Sequence, residues 1–452
     1  MELYIVIIFV VGYFAIALEH PIKINKTAIA LITGVLCWTL FAIEVPNAGF
    51  LTSDYYVSFA EKLKIQNLTS DEIYKLFIST ELSHNLSQIS SILFFLIGAM
   101  TIVELVDAHH GFRFITDLIK TKDIRKLLWI VCWTTFFLSA ILDNLTTAIV
   151  MVSLARKIIP DKEKRLFFAG MIIIAANAGG AWSPIGDVTT TMLWIGGQIS
   201  SVKIITTLLA PSIICLFVPL VYLSFKLKGS LQGGEEEFTA GDKVYIEGGK
   251  TMLLVGVGAL IFVPVFKTAT HLPPYIGMLL GLGVLWVVSE LINPDLDESE
   301  RRKYSASHAL SRIDVSSVLF FFGILLAVGA LESMQTLHHF ASYLEKLFGD
   351  NRIIITLIGA VSAIVDNVPL VAACMGMYSL DIYPMDHMIW EYLAYCAGTG
   401  GSLLVIGSAA GVAVMGMEKM DFIWYLKKMS FLALIGYLSG AGIYLFLHSM
   451  MQ

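Results

Sequence analysis

Eight apolar runs, each long enough or almost long enough to cross about 30 Å of hydrocarbon, constrain the fold of this chain more than any other feature. Hydrophobic residues make up 57% of the sequence and charged residues 15%, whereas soluble domains are roughly 45–50% apolar and 25% charged. The sequence therefore predicts an all-α polytopic membrane protein. The runs lie near positions 3–18, 28–45, 92–106, 202–225, 252–266, 276–292, 318–331 and 432–447.

The second half of the chain repeats the first at a distance of roughly 220–230 residues. The segment SHNLSQI at 83–89 recurs as SHALSRI at 307–313, and SAILDN at 139–144 recurs as SAIVDN at 362–367. A Gly-Gly pair and then an Ile-Gly pair follow each copy. Duplication predicts five parts: an N-terminal helix and loop at 1–27, repeat 1 at 28–226, a cytoplasmic linker at 227–250, repeat 2 at 251–428 and a C-terminal helix at 429–452.

Polar residues interrupt the apolar stretch at about 127–158, and basic residues flank this stretch on both sides. The positive-inside rule places both flanks in the cytoplasm, which predicts a re-entrant helical hairpin. Threading the chain from this anchor puts 23 of the 30 Lys and Arg residues inside. The second hairpin, at about 352–381, then enters from the opposite side, so the repeats are expected to be inverted. The inside loops are 19–27, 108–126, 156–165, 226–250, 293–316 and 418–428.

Three further segments carry simpler expectations. The first apolar run lacks a basic leader and a small-residue cleavage site, so it is expected to be a retained helix. The stretch at 52–91 is too polar to span and predicts amphipathic helices on the outer surface. The stretches at 228–250 and 293–316 are polar enough to be solvated loops.

Two repeat-related carboxylates, Asp143 and Asp366, lie at the predicted hairpin tips, and Asn144 and Asn367 follow them. A carboxylate inside a membrane segment costs at least about 2.5–3.5 kcal/mol and is a functional candidate by default. Helix breaks there would direct carbonyls and helix ends at a cation. The alternative is a hairpin cap that only satisfies free backbone N–H groups. Thr146 and Thr147 add hydroxyls at the first tip.

A second polar cluster lies in a predicted broken helix at about 166–199. Gly179, Gly180, Pro184 and Gly186 should unwind it, and Asp187 adds a third carboxylate. Carboxylate, amide and hydroxyl oxygens are the hard ligands that small cations require. The alternative role of Asp187 is an ordinary helix N-cap. The candidate ligands beside it are Asn177, Ser183, Thr189 and Thr190.

The corresponding broken helix of the second half, at about 388–417, places Ser408 opposite Asp187. This difference of one charge indicates a principal cation site on the first repeat. The central motifs contain no Lys or Arg, which favours a cation as cargo, although helix N-termini and hydroxyls can also bind a carboxylate. The candidate ligands of the second half are Ser362, Asp366, Asn367, Thr399, Ser402 and Ser408.

Histidine and cysteine residues give weaker signals. Glu104 and Glu332 occupy matching positions, and each is followed by a His pair, at 109–110 and 338–339. Adjacent His residues point in different directions on a helix, so interfacial side chains are favoured over a metal site. A role in pH sensing is open because His titrates near neutrality. The five Cys residues are scattered through apolar segments without metal-ligand spacing, so they are expected to be packing residues.

The motifs resemble those of the NhaD-type sodium/proton antiporters, in a superfamily that also contains dicarboxylate/sodium symporters. The resemblance covers nearly the whole chain. It rests on ALEHPIKINK at 17–26, LDNLTT at 142–147, SPIGDVTT at 183–190 and DNVP at 366–369. It implies a homodimer in the bacterial inner membrane, with a scaffold domain and a mobile transport domain. By position it also implies nine ion-site candidates: Asp143, Asn144, Asn177, Asp187, Thr189, Thr190, Ser362, Asp366 and Asn367.

These observations predict a secondary transporter, not an enzyme, that exchanges Na⁺ or Li⁺ for H⁺ without a cofactor or nucleic acid. Cation and proton would compete for Asp143 and Asp187, and only a neutralised site would cross the bilayer, by elevator-type alternating access. Such exchange would serve pH homeostasis. One alternative is a Na⁺-coupled dicarboxylate symporter, whose branch carries Ser-Asn-Thr rather than Asp-Asn at the tips. A distant alternative is an intramembrane aspartyl protease, in which two buried aspartates share a proton.

Overall fold

The computed structural model describes residues 2–43, 48–63, 68–112, 121, 123–227, 229, 248–292, 304–364 and 366–451. The regular elements in these ranges are helices. They are α1 (Glu2–Ala17), α2 (Glu19–Ile22), α3 (Lys26–Ile43), α4 (Ala48–Leu51), α5 (Asp54–Leu63), α6 (Ser70–Ala108), α7 (Ile124–Ser139), α8 (Asn144–Ile158), α9 (Lys162–Gly180), α10 (Val188–Ile195), α11 (Ser201–Lys226), α12 (Gly249–Thr270), α13 (Pro274–Ile292), α14 (Ala306–Arg312), α15 (Val315–Ser333), α16 (Thr336–Phe348), α17 (Asn351–Val361), α18 (Asn367–Met377), α19 (Met388–Gly400), α20 (Ala409–Glu418), α21 (Phe422–Lys428) and α22 (Ser430–Met451).

Seven of the described helices are long and apolar enough to cross a membrane: α3, α6, α11, α12, α13, α15 and α22. Each of them contains most or all of one predicted apolar run. The remaining run, at 3–18, forms α1, which has 16 residues and is shorter than these seven. The prediction of an all-α polytopic membrane protein is therefore confirmed for the described part of the chain.

The polar stretch at 52–91 differs from its prediction. Helix α5 is a separate short helix, but residues 70–91 continue without a break into the apolar run and form the 39-residue helix α6. No Gly or Pro occurs between Ser70 and Ile97, so nothing in the sequence stops the helix. At 1.5 Å per residue α6 is roughly 58 Å long, about twice the hydrocarbon thickness.

Parts of the predicted loops lie outside the described residues. They are positions 113–120, most of the linker at 227–250, and positions 293–303. The described part of the predicted loop at 293–316 contains the short helix α14, which was not predicted.

The chain divides into two compact units. The first unit comprises residues 1–93, 314–350 and 372–383, and the second comprises 94–313, 351–371 and 384–452. Within the first unit α3 packs along α15. Their backbones approach closely at Gly34 and Gly323, since a Cβ added to Gly34 would lie 2.5 Å from the Gly323 oxygen. The Trp38 indole donates a hydrogen bond of 2.8 Å to the Leu326 carbonyl.

We expect Gly323→Ala to lower the free energy of unfolding by about 1–3 kcal/mol, the usual cost of overpacking. The new Cβ would lie 2.6 Å from the backbone C of Ala30 and the N of Leu31, so α3 and α15 would have to separate. Thermal unfolding of purified protein in detergent measures this. Gly258→Ala in α12 is the matched control, because its Cβ would meet nothing within 4 Å. Equal unfolding temperatures for the two variants would contradict the packing described here.

The second unit contains the polar motifs. Helices α7 and α8 pack against α9, and α17 packs against α19. Helix breaks separate α7 from α8, α9 from α10, α17 from α18 and α19 from α20. Their described residues are 140–143, 181–187, 362–364 with 366, and 401–408. These four breaks lie inside the segments predicted as hairpins and broken helices. The re-entrance of the hairpins, the inversion of the repeats and the domain boundaries stay predictions.

Candidate cation site

Close backbone contacts place the break in each broken helix against the tip of one predicted hairpin. A Cβ on Gly186 would lie 3.0 Å from the Cα of Ala140, and a Cβ on Gly407 would lie 2.7 Å from the Cα of Ala363. Ala140 and Ala363 follow the Ser139 and Ser362 of the repeated SAI sequence. The glycines are required because a side chain would push the backbones apart. The same contact thus occurs once in each half of the chain.

Asp143 caps the helix that it precedes. Its Oδ1 accepts a hydrogen bond of 2.7 Å from the Thr146 N–H, and its Oδ2 accepts one of 2.8 Å from the Thr146 hydroxyl. Its φ of +152° lies in a region that is costly for a residue with a side chain. The cap that the sequence left open as an alternative is therefore present at Asp143. A carboxylate has further lone pairs, so this cap does not remove Asp143 from the candidate ligands.

We expect Asp143→Ala to lower the free energy of unfolding by about 1–2 kcal/mol, the upper range for losing an N-cap. Asp143→Asn should change stability by less than about 0.5 kcal/mol, because Asn is an equally good cap and tolerates positive φ better than Ala. Thermal unfolding of the two variants measures the cap. Transport by Asp143→Asn, which lacks only the charge, separates capping from any electrostatic role. Equal stability of the two variants would contradict a capping role.

Asp187 is placed differently. It occupies the N-cap position of α10, yet its side chain makes no capping hydrogen bond. Its side chain is buried, with 4% relative exposure, and its Oδ2 has no hydrogen-bond partner in the described structure. The hydroxyl and N–H of Thr189 and the N–H of Val188 lie close to this carboxylate, and the charge of Asp366 opposes it more weakly than burial does. A buried, repelled carboxylate is costly unless a proton or a cation neutralises it.

Other buried oxygens also lack partners among the described residues. They include the hydroxyls of Thr147 and Thr189 and the Oδ1 of Asn367. Buried polar atoms are normally hydrogen-bonded, so each of these exceptions needs an explanation. The Thr189 hydroxyl lies beside the Asp187 carboxylate but forms no hydrogen bond of good geometry with it.

Asn177 connects the two halves. It is fully buried near the end of α9, and its Oδ1 accepts a hydrogen bond of 3.1 Å from Asn144 Nδ2. Its Nδ2 donates to the hydroxyls of Ser402 and Ser408, both at 3.0 Å. One amide therefore joins the start of α8 to the break between α19 and α20.

The remaining candidates are engaged locally. Ser362 donates to the Gly359 carbonyl at 2.7 Å, Thr399 to the Tyr395 carbonyl at 2.7 Å and Thr190 to the Asp187 carbonyl at 2.9 Å. The Ser183 hydroxyl accepts a long bond of 3.4 Å from the Ile185 N–H. The sequence prediction did not distinguish these side chains from the unengaged oxygens of Asp187, Thr189 and Thr147.

Two buried carboxylates of the second unit were not predicted. Glu418 accepts hydrogen bonds from the Nε groups of Arg156 and Arg165, each at 2.8 Å. Glu391 accepts a hydrogen bond of 2.8 Å from the Tyr444 hydroxyl and lies 3.7 Å from Lys203 Nζ. The sequence feature that could have indicated them is a single Glu in an otherwise apolar helix.

In the first half, the predicted Glu and His side chains lie near the end of α6. Glu104 pairs with Arg312 at 3.5 Å, and His109 is buried, with its Nδ1 2.8 Å from the Leu105 carbonyl. No group of three His, Cys, Asp or Glu that could hold a metal occurs in the part of the chain that the structure describes. All five Cys residues are buried, as expected for packing residues.

Comparison with known proteins adds three relatives and one family. A family profile described as "Citrate transporter" (CitMHS) matches residues 4–398. "Sodium/proton antiporter 1" of Arabidopsis thaliana is 48% identical over 98% of this chain and 72% of its own length. "Sodium/proton antiporter 2" of the same plant is 45% identical over 98% of this chain and 99% of its own length. "Na(+)/H(+) antiporter NhaD" of Vibrio cholerae is 28% identical over 98% and 91%, respectively.

Proposed function

We propose that this chain, which belongs to the NhaD-type sodium/proton antiporters of the CitMHS transporter family, exchanges Na⁺ for H⁺ across a membrane. The observation that carries the proposal is the buried Asp187, whose Oδ2 has no hydrogen-bond partner among the described residues. The names of the relatives support Na⁺ and H⁺ as the exchanged ions. Because the family is one of transporters, the protease alternative is excluded.

Competition for one carboxylate gives the mechanism. A cation or a proton would neutralise Asp187, but not both at once, since the charge needs only one partner. Burial of the charge, which is the main cost at Asp187, makes neutralisation by either ligand favourable. If only a neutralised site crosses the membrane, Na⁺ movement in one direction requires H⁺ movement in the other. Asp143 would add negative charge and fix the start of α8, while Thr189 would supply a neutral ligand.

The finer parts of the prediction rest on the resemblance. Elevator-type alternating access, a homodimer and transport of Li⁺ stay predictions. The relatives come from a plant and from bacteria, so a bacterial inner membrane also stays a prediction.

Transport of a di- or tricarboxylate with Na⁺ is the second candidate, because the matching family profile carries the name of a citrate transporter. The charges of the site oppose it. Asp143, Asp187 and Asp366 would repel a carboxylate, and Lys203 and Lys267 of the second unit already have protein partners. Lys203 lies 3.7 Å from Glu391, and Lys267 donates to the Trp194 carbonyl at 2.7 Å.

Everted membrane vesicles from cells without other sodium/proton antiporters test the proposal. Respiration acidifies the lumen, and a fluorescent pH indicator then records whether an added salt releases protons. We expect NaCl to discharge the gradient and choline citrate to have no effect. Uptake of labelled citrate or succinate that requires Na⁺, without discharge by NaCl, would show the right fold with a different cargo.

A further inference from the structure

The two halves of the chain differ at two equivalent positions around their broken helices. The first break separates α9 from α10, and the second separates α19 from α20. Matching the Gly-Gly pairs at 179–180 and 400–401 places Asp187 opposite Ser408 and Asn177 opposite Gly398. The equivalent contacts of Gly186 and Gly407 support this match. At the first helix break the carboxylate of Asp187 therefore lies opposite Gly398. At the second helix break the hydroxyl of Ser408 lies opposite the amide of Asn177.

The amide of Asn177 uses the oxygens at the second break. Both of its N–H bonds are engaged, one on Ser402 Oγ and one on Ser408 Oγ, each at 3.0 Å. Ser408 Oγ also accepts the Gly411 N–H at 3.1 Å. A hydroxyl oxygen has two lone pairs, so Ser408 has no acceptor capacity left for a cation.

The first break has the opposite pattern. Gly398 provides no side chain that could donate to Asp187, and a Cβ at Gly398 would lie 3.6 Å from Asp187 Oδ2. The Asp187 Oδ2 and the Thr189 hydroxyl are buried and lie close together, but neither forms a hydrogen bond of good geometry in the described structure. The oxygens at this break are thus available to a cation, while the equivalent oxygens at the second break already bind the partly positive N–H groups of an amide.

We propose that Asn177 is a built-in substitute for a cation at the second break, so that each chain binds one Na⁺, at Asp187, rather than two at repeat-related sites. This inference rests on the proposed Na⁺/H⁺ exchange. It changes the predicted roles of Asn177, Ser402 and Ser408 from ligands of the transported ion to an internal hydrogen-bonded closure. The second tip still offers the Asn367 Oδ1, which lacks a partner, and the half-buried Asp366 carboxylate, whose Oδ1 accepts the Val368 N–H at 3.4 Å. The Ser362, Ser402 and Ser408 hydroxyls that would complete a cation site there are already engaged.

Equilibrium binding of ²²Na⁺ to the purified full-length protein at alkaline pH tests the inference. Wild type should bind one Na⁺ per chain. The double variant Asn177→Gly/Ser408→Asp copies the first break into the second and should bind two. Ser402→Ala provides a test that does not depend on that variant folding. It should lower the unfolding temperature, because one N–H of Asn177 loses its acceptor, yet keep one site with Na⁺ affinity within about threefold of wild type.

Two results would overturn the inference while leaving exchange intact. These are two Na⁺ per chain in wild type, or a loss of Na⁺ affinity of tenfold or more in Ser402→Ala, which would make the hydroxyl a ligand. Failure of wild type to bind Na⁺ or to move protons in response to Na⁺ would instead overturn the proposed function, and this inference with it.

Discussion

Asp187→Asn is expected to lower the rate of Na⁺-dependent proton movement by at least about 100-fold. Loss of a residue that only orients a metal ligand costs up to about 100-fold, and loss of the ligand itself should cost at least as much. Asn has nearly the same shape but cannot exchange a proton, and it offers a cation a neutral oxygen. Because the Asp187 side chain makes no capping hydrogen bond, the substitution should leave the helix start intact. The measurement is the initial rate of proton release from everted vesicles after NaCl addition.

Asp123→Asn is the matched control for this variant. Asp123 also stands at a helix N-cap, but it is exposed and its carboxylate accepts the N–H groups of Arg125 and Lys126. Asn caps equally well, so this variant should transport at the wild-type rate. If Asp187→Asn is present in the membrane at normal levels and keeps more than about a tenth of that rate, its carboxylate is not the exchanging group.

Glu418→Ala should lower the free energy of unfolding by about 3–5 kcal/mol, the usual cost of removing one partner from a buried ion pair. The Glu418 side chain has 0% relative exposure, and Arg165, which depends on it, has 17%. Arg156 and Arg165 flank the connection from α8 to α9, whereas Glu418 ends α20. The pair of bonds therefore fixes the end of the second broken helix to the first half of the chain.

Thermal and denaturant unfolding in detergent measure this loss. Asp71→Asn is the control, because it removes an exposed ion pair. The side chains of Asp71 and Lys75 are 73% and 72% exposed, and such pairs contribute at most about 1 kcal/mol to the free energy of unfolding. A cost below about 1 kcal/mol for Glu418→Ala would contradict its role as a buried anchor. Adding Arg165→Met to Glu418→Ala should recover part of the stability, since the uncompensated charge is then removed as well.

The helix breaks could be predicted from local sequence, because Gly-Gly, Pro and Asp-Asn interrupt apolar helices by short-range effects. The partners of the polar groups could not. Asn177 binds Ser402 and Ser408, which lie 225 and 231 residues further along the chain, and Arg165 binds a carboxylate 253 residues away. The packing of α8 and α9 against α19 and α20 brings such groups together, and the local sequence does not encode it.

The two leading aspartates show the same limit within a few residues. Asp143 and Asp187 both precede a helix and both have Thr nearby, so the sequence left an N-cap open for each. The backbone decides between them. At Asp143 the side chain reaches the Thr146 N–H and hydroxyl, whereas at Asp187 the carboxylate makes no such bond. The sequence marked both as candidates but could not say which one keeps a carboxylate oxygen without a hydrogen bond.

Competition between Na⁺ and H⁺ for one carboxylate is tested most directly by the pH dependence of the apparent KM for Na⁺. Purified protein in liposomes, with Na⁺ gradients as the driving force, would be assayed for proton movement at a series of pH values. We predict that KM rises about tenfold for each pH unit lowered in the acid range, while the maximal rate stays constant, because each ligand displaces the other. A KM independent of pH, with a maximal rate that falls in acid, would contradict a shared site.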